Sequence, residues 1–130
     1  MNNYLATILL VDEDPLQALT RKSLLEQQLG PVLRVNNAVE ALCLMENPEQ
    51  VAPLRLVISG HHMPGIGGPA FVAELQARFP LLPILVLGNI RDVAGNYSGD
   101  QVHFLPRSAD ANEILRLAAA LIEQGLGPQA

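Results

Sequence analysis

Asp12 and Glu13 stand side by side at the end of the apolar run Thr7–Val11, and adjacent carboxylates so placed can share a divalent cation. Without a cation, two close acids repel each other unless one is protonated or a cationic side chain lies near. The plainer alternative leaves Glu13 solvated and Asp14 acting only as a helix cap. His61 and His62 form a second cluster, with His103 further along the chain. Together with the acids these are ligand types for a transition metal. Neighbouring histidines on a loop rarely point the same way, however, so two surface loop residues are the expected outcome. Gly65, Gly67 and Gly68 make a flexible turn, but with no lysine beside them they are a weak phosphate-loop signal. The lone cysteine, Cys43, excludes an intramolecular disulfide and is expected to be a small buried hydrophobe in a helix.

These residues must be held by some framework, and the hydrophobic pattern supplies one. Thr7–Val11, Val32–Val35, Leu54–Ser59, Ile84–Leu87 and Gln101–Leu105 are short apolar runs. Continuous rather than alternating runs suit parallel strands covered on both faces, with the weaker second and fifth runs nearer the edges. Helical patterns lie between them. Asp14 is an N-cap, Pro15 fits the first helical position, Gln17 sits where a capping-box partner belongs, and Gly30-Pro31 stops the helix near Leu29. Ala38 to about Glu46 is a shorter helix ended by Asn47-Pro48, and Pro69–Phe79 another ended by Pro80. The last helix opens with Asp110 and Glu113 as a capping box, carries the stripe Ile114, Leu117, Ala118, Leu121 and Ile122, and ends at Gly125. Asn89–Asp100 is rich in Gly, Asn and Ser, and one turn or an irregular loop is expected there. Such βα alternation implies an α/β sandwich with a right-handed parallel sheet. Ligands in such folds bind at the carboxyl ends of the strands, which points to Asp12-Glu13, Gly60–Met63, Gly88-Asn89 and Pro106-Arg107.

A chain of 130 residues fits one compact domain, expected over 1–125 with 126–130 as a tail or truncated linker. The charged share is 16%, against roughly 25% in typical soluble domains. Either some apolar surface is meant for a partner, or the surface is simply sparse over an Ala- and Leu-rich core. Net charge is −5, and Lys and Arg are scattered, which argues against direct nucleic-acid binding. No signal peptide and no run of about 18 apolar residues is visible, so a cytoplasmic location off the membrane is expected.

Four motifs carry a resemblance. ATILLVDEDP (Ala6–Pro15), PLRLVISGHHMPGIGG (Pro53–Gly68), LPILVLGN (Leu82–Asn89) and VHFLPRS (Val102–Ser108) occur in the order found in bacterial response-regulator receiver domains. The resemblance spans about Thr7 to Gln124, and Met63-Pro64 fixes the alignment of the central segment. It implies a flavodoxin-like (βα)5 sandwich, with five parallel strands in the order 2-1-3-4-5 and helices on both faces. The fourth helix, between the fourth and fifth strands, would be short or irregular.

The resemblance also assigns positions. Asp12 and Glu13 match the two acids that help hold Mg²⁺ in the family. Gly60 stands where the phosphoacceptor aspartate belongs, Gly88 where a Thr or Ser hydroxyl would bond the phosphate, and Arg107 where a lysine would pair with it. Ser108 replaces the following proline, and Phe104 occupies the aromatic switch position, where a fixed, packed ring is expected because Gly88 has no hydroxyl to move it. Several positions depart from the pattern together, so the loss at Gly60 is not an isolated change. Arg107 is expected to reach Asp12 or Glu13 in place of the missing chemistry.

Phosphoryl transfer to a carboxylate needs the nucleophile, a divalent cation and donors around the product. The nucleophile is gone, and no Asp between Gly60 and Phe79 could replace it. No resident cofactor is expected; any Mg²⁺ would be weakly held by Glu13, with Asp12 through water. The expected function is a non-enzymatic, phosphorylation-independent receiver-like module in bacterial two-component or related signalling. It would bind a protein partner or a second copy of itself through a face around Phe104, Leu105, Ile90 and Val93. The alternative is a sensor for a nucleotide or metabolite held in the vacated acidic pocket.

Overall fold

Runs of Ile, Leu and Val without polar interruption cannot leave one face in water, and here they form strands covered on both sides. The computed structural model describes residues 6–88, 97 and 99–125. Its elements are β1 (Ile8–Val11), α1 (Pro15–Gln28), β2 (Val32–Val35), α2 (Ala38–Leu44), α3 (Pro48–Val51), β3 (Leu56–Gly60), α4 (Gly68–Arg78), β4 (Ile84–Leu87), β5 (Val102–Leu105) and α5 (Ala111–Gly125). The five strands form one sheet in the order β2-β1-β3-β4-β5. Every pairing is parallel, with Ile8 opposite both Val32 and Leu56, and Ile84 opposite both Val57 and Val102. The polar-interrupted β2 and β5 are the edge strands, as their composition implies.

Alternate strand residues feed two cores. Leu9, Val11, Val57, Ile84 and Val86 meet Ala38 and Ala41 of α2 and Phe71, Val72 and Leu75 of α4. Ile8, Leu10, Leu56, Ile58 and Leu85 meet Ala18 and Leu25 of α1 and Ile114, Ala118, Leu121 and Ile122 of α5. The sheet therefore has helices on both faces.

Helix ends follow local chemistry. The Asp14 carboxylate accepts from the backbone N–H groups of Leu16 and Gln17 at 3.0 and 3.2 Å. Asp110 and Glu113 exchange reciprocal bonds, 2.9 Å to the N–H of Glu113 and 3.0 Å from the N–H of Asp110. Gly30, with φ of 122°, turns the chain out of α1 into β2, a conformation that an L side chain rarely adopts.

Two expectations need correction. Asn47-Pro48 does not simply end a helix: the Asn47 side chain accepts from Glu49 N at 2.9 Å and starts the short α3. A Pro at the first helical position is compatible with starting a helix as well as with stopping one. Cys43 is exposed rather than buried, because α2 turns Ala38 and Ala41 inward and leaves position 43 on the solvent side. Most of the connection between β4 and β5, including Ile90 and Val93, and the tail 126–130 lie outside the described residues.

Candidate functional site

The chain leaves β1 for β2 on one side and enters β3 on the other. The connections that follow β1 and β3 therefore run to opposite sides of the sheet and leave a crevice above the paired strand ends. Asp12 follows β1 and Gly60 ends β3, so the topology alone brings them to one mouth. A cavity of about 700 Å³ opens there. Its floor is Leu10, Ile58 and Leu87, and its walls include Asp12, Glu13, Gly60, Gly88 and Arg107. The five positions singled out from sequence are thus brought together.

What Asp12 does there differs from expectation. Its carboxylate is paired with Arg21, whose Nη1 lies 3.2 Å from Oδ2, and both side chains are largely buried, at 14% exposure for Arg21 and 7% for Asp12. The other oxygen, Oδ1, accepts from Asp14 N at 3.0 Å. Arg34 adds a second guanidinium, its Nε donating to the Asp12 carbonyl at 2.9 Å. Arg107 is exposed at the rim, and among the described residues it pairs with neither Asp12 nor Glu13; Asp12 is taken by Arg21 instead. The reason is reach: Arg21 lies nearly two turns into α1 and lines the same cavity, and a long side chain can cover that distance. Sequence reasoning missed Arg21 because neither periodicity nor motif marks it.

Gly60 contributes no side chain. A Cβ there would meet only ordinary neighbours, His62 O at 3.7 Å and Met63 Cγ at 3.8 Å. Its carbonyl accepts from the buried Ser59 hydroxyl at 3.0 Å. Gly88 is buried and its N–H is spent on Leu105 O at 2.9 Å.

A divalent cation of the kind the fold family implies does not fit this donor set. One carboxylate is missing at Gly60, and that of Asp12 already holds a guanidinium. Glu13 is exposed on the cavity wall beside them. Among the described residues, no group of three or more His, Cys, Asp or Glu side chains is arranged to hold a metal. His61 and His62 meet edge to face with ring centroids 4.6 Å apart, and only His61 is buried.

The His61 ring is engaged on its far side: Nδ1 lies 2.8 Å from the Tyr97 hydroxyl. Tyr97 in turn packs edge to face on Phe104, with centroids 5.3 Å apart. Phe104 and Leu105 are partly buried, each against a different core. Burial pushes the Tyr97 hydroxyl up to about 12 and holds the His103 imidazole below its usual value. The large apolar side chains most exposed among the described residues are Leu16 and Leu19 on α1, Val39 on α2 and Leu81 before β4, not the β5 residues.

No family model and no curated protein matches the chain. Solved structures do match. The signal receiver domain of a signal transduction histidine kinase from Syntrophus aciditrophicus superposes with a TM-score of 0.78 at 22% identity, over 95% of this chain and 94% of that one. A response regulator receiver protein from Sinorhizobium medicae WSM419 gives a TM-score of 0.80 at 18% identity, covering 93% and 97%. NtrX from Brucella abortus, in complex with ADP, gives 0.78 at 20% identity over 94% of this chain but only 28% of NtrX. The chain has the receiver-domain fold, a flavodoxin-like sandwich.

Proposed function

We propose that the chain is a non-enzymatic, cytoplasmic signalling module of receiver fold that works without accepting a phosphoryl group, in a bacterial two-component or related pathway. The observation that carries this reading is the mouth of the sheet, where Gly60 offers no nucleophile and Asp12 is tied to Arg21. With no covalent switch, what remains is a fixed scaffold that binds. Its expected docking face is the β5 side, around Phe104 and Leu105, extended by Ile90 and Val93, and its expected occupant is a protein partner or a second copy of the chain. Among the described residues, no helix is long and apolar enough to cross a membrane.

The test is incubation with acetyl phosphate and Mg²⁺ followed by intact-mass measurement. An unchanged mass supports the reading, whereas an added phosphoryl group overturns it and its mapped position identifies the acceptor. Native mass spectrometry of the chain and of a Leu105→Glu variant then tests the face. A dimer or complex lost only in the variant supports it.

The cavity favours a second reading, a sensor of a small ligand. Its volume of about 700 Å³ falls within the range of small-molecule sites, with an apolar floor and a charged rim. A metabolite or nucleotide that raises Tm in a concentration-dependent way would favour this reading over the first.

A further inference from the structure

Three acids and two arginines line the cavity, and most of them are already engaged. Asp12 holds Arg21, and the Asp14 carboxylate caps α1. Two charges are left over. Among the described residues, no hydrogen bond or ion pair engages the side chain of Glu13 or of Arg107, and both are exposed. The sheet order sets them on opposite walls: Glu13 follows β1 and Arg107 follows β5, three strand spacings away. At about 4.8 Å per spacing that is about 14 Å between backbones, a gap that two long side chains narrow from both sides. The floor between them is apolar, since Leu10, Ile58 and Leu87 are all at most 5% exposed. Gly60 keeps the middle open, with no atom nearer than 3.7 Å to where a Cβ would stand. A free carboxylate on one wall, a free guanidinium on the other and an apolar floor between them describe a ligand of complementary build.

We propose that the cavity takes a zwitterion with an apolar body, of the α-amino acid class with a large side chain. Its ammonium group donates to the Glu13 carboxylate, and its carboxylate accepts from the Arg107 guanidinium. Its side chain lies over Leu10, Ile58 and Leu87. Arginine suits the second role because its planar fork matches a carboxylate. Ligand pockets commonly combine an apolar lining with a few polar groups that fix orientation, and here the two rim charges do so. A singly charged ligand gains only one of the two contacts, and a ligand without an apolar body leaves the floor in water. The proposal rests on the small-ligand reading and narrows it to one chemical class.

The test titrates the chain with L-phenylalanine and with three relatives, each lacking one feature: phenethylamine, 3-phenylpropionate and glycine. The amide NMR signals of Gly60 and Gly88 report occupancy of the cavity. L-Phenylalanine is expected to shift both, and each relative to bind about tenfold more weakly or less, having lost a charge-assisted hydrogen bond or the apolar contact. Glu13→Gln should bring L-phenylalanine down to the affinity of 3-phenylpropionate, and Arg107→Gln down to that of phenethylamine. Both positions are exposed, so neither substitution disturbs the core. Unmoved Gly60 and Gly88 signals with L-phenylalanine, or a singly charged relative that binds as tightly, overturn the zwitterion assignment. A nucleotide or other metabolite that then still raises Tm keeps the small-ligand reading standing, so the two can fail separately.

Discussion

Arg21 Nη1 lies 3.2 Å from Asp12 Oδ2, so the carboxylate that heads the mouth of the sheet carries its own counter-ion. Removing one partner of a largely buried pair leaves the other charge in a poor environment. Arg21→Met keeps much of the stem and removes the charge, and should cost about 1–3 kcal/mol, less than a fully buried pair because Asp14 N still bonds the carboxylate. Urea unfolding of the two proteins measures it, and a change within a few tenths of a kcal/mol would show that the pair is incidental.

The same pair sets the response to cations. In the natural chain a divalent cation must displace a guanidinium to reach Asp12, so Tm should not change with added Mg²⁺. In Arg21→Met, Asp12 is released beside the exposed Glu13, and Tm should rise with Mg²⁺ and fall again with chelator, as expected for a ligand that binds only the folded state. A Mg²⁺-dependent rise in the natural chain would contradict this account.

The mouth was legible from sequence and its wiring was not. Asp12, Gly60, Gly88 and Arg107 come together because strand ends converge, and strand ends are readable from apolar runs. Arg21 was invisible because its role depends on the direction of a long side chain, which spacing along a helix does not give. Tyr97 was equally hidden: it sits in a segment rich in Gly, Asn and Ser, and its partner His61 is 36 residues away. The exposure of Cys43 followed from which face α2 turned inward, and a seven-residue helix is too short for its pattern to decide that.

Gly68 and Gly67 should differ sharply. A methyl group at 68 meets His61 O at 2.8 Å as well as the Tyr97 oxygen, whereas at 67 the nearest atom is Pro69 Cδ at 3.9 Å. Gly68→Ala should therefore destabilise by about 1–3 kcal/mol through overpacking, while Gly67→Ala should be close to neutral. Equal effects in thermal unfolding would mean that the turn tolerates any side chain and that the close packing is unimportant.

Stability should fall in two steps as the solution is acidified. Burial holds the His103 imidazole below its usual 6.5, so the folded state binds its proton less readily than the unfolded chain. That contribution is complete above the unfolded value and is lost as pH falls below it. The backbone N–H of Asn36, 2.7 Å from Glu40 Oε1, holds the Glu40 carboxyl below 4.5 and gives a second loss of the same sign at lower pH. His103→Gln should flatten the first step of a Tm–pH profile and leave the second. A first step that survives the substitution assigns it elsewhere.

Gly60→Asp should fold, because position 60 has no left-handed backbone and its Cβ would meet nothing closer than 3.7 Å. A carboxylate alone is not enough, since phosphoryl transfer also needs a cation to neutralise the transferred oxygens. Asp12 remains bound to Arg21 in that variant, and the added acid raises the negative charge of the mouth. Gly60→Asp should therefore gain little mass from acetyl phosphate and Mg²⁺, whereas Gly60→Asp with Arg21→Met should gain a phosphoryl group in a chelator-sensitive way. If the single variant is modified as fast as the double, the Arg21–Asp12 pair is no barrier, and the missing carboxylate alone accounts for the lost chemistry. If neither is modified, the barrier lies instead at Gly88 and Arg107, and restoring Thr and Lys there is the discriminating next step.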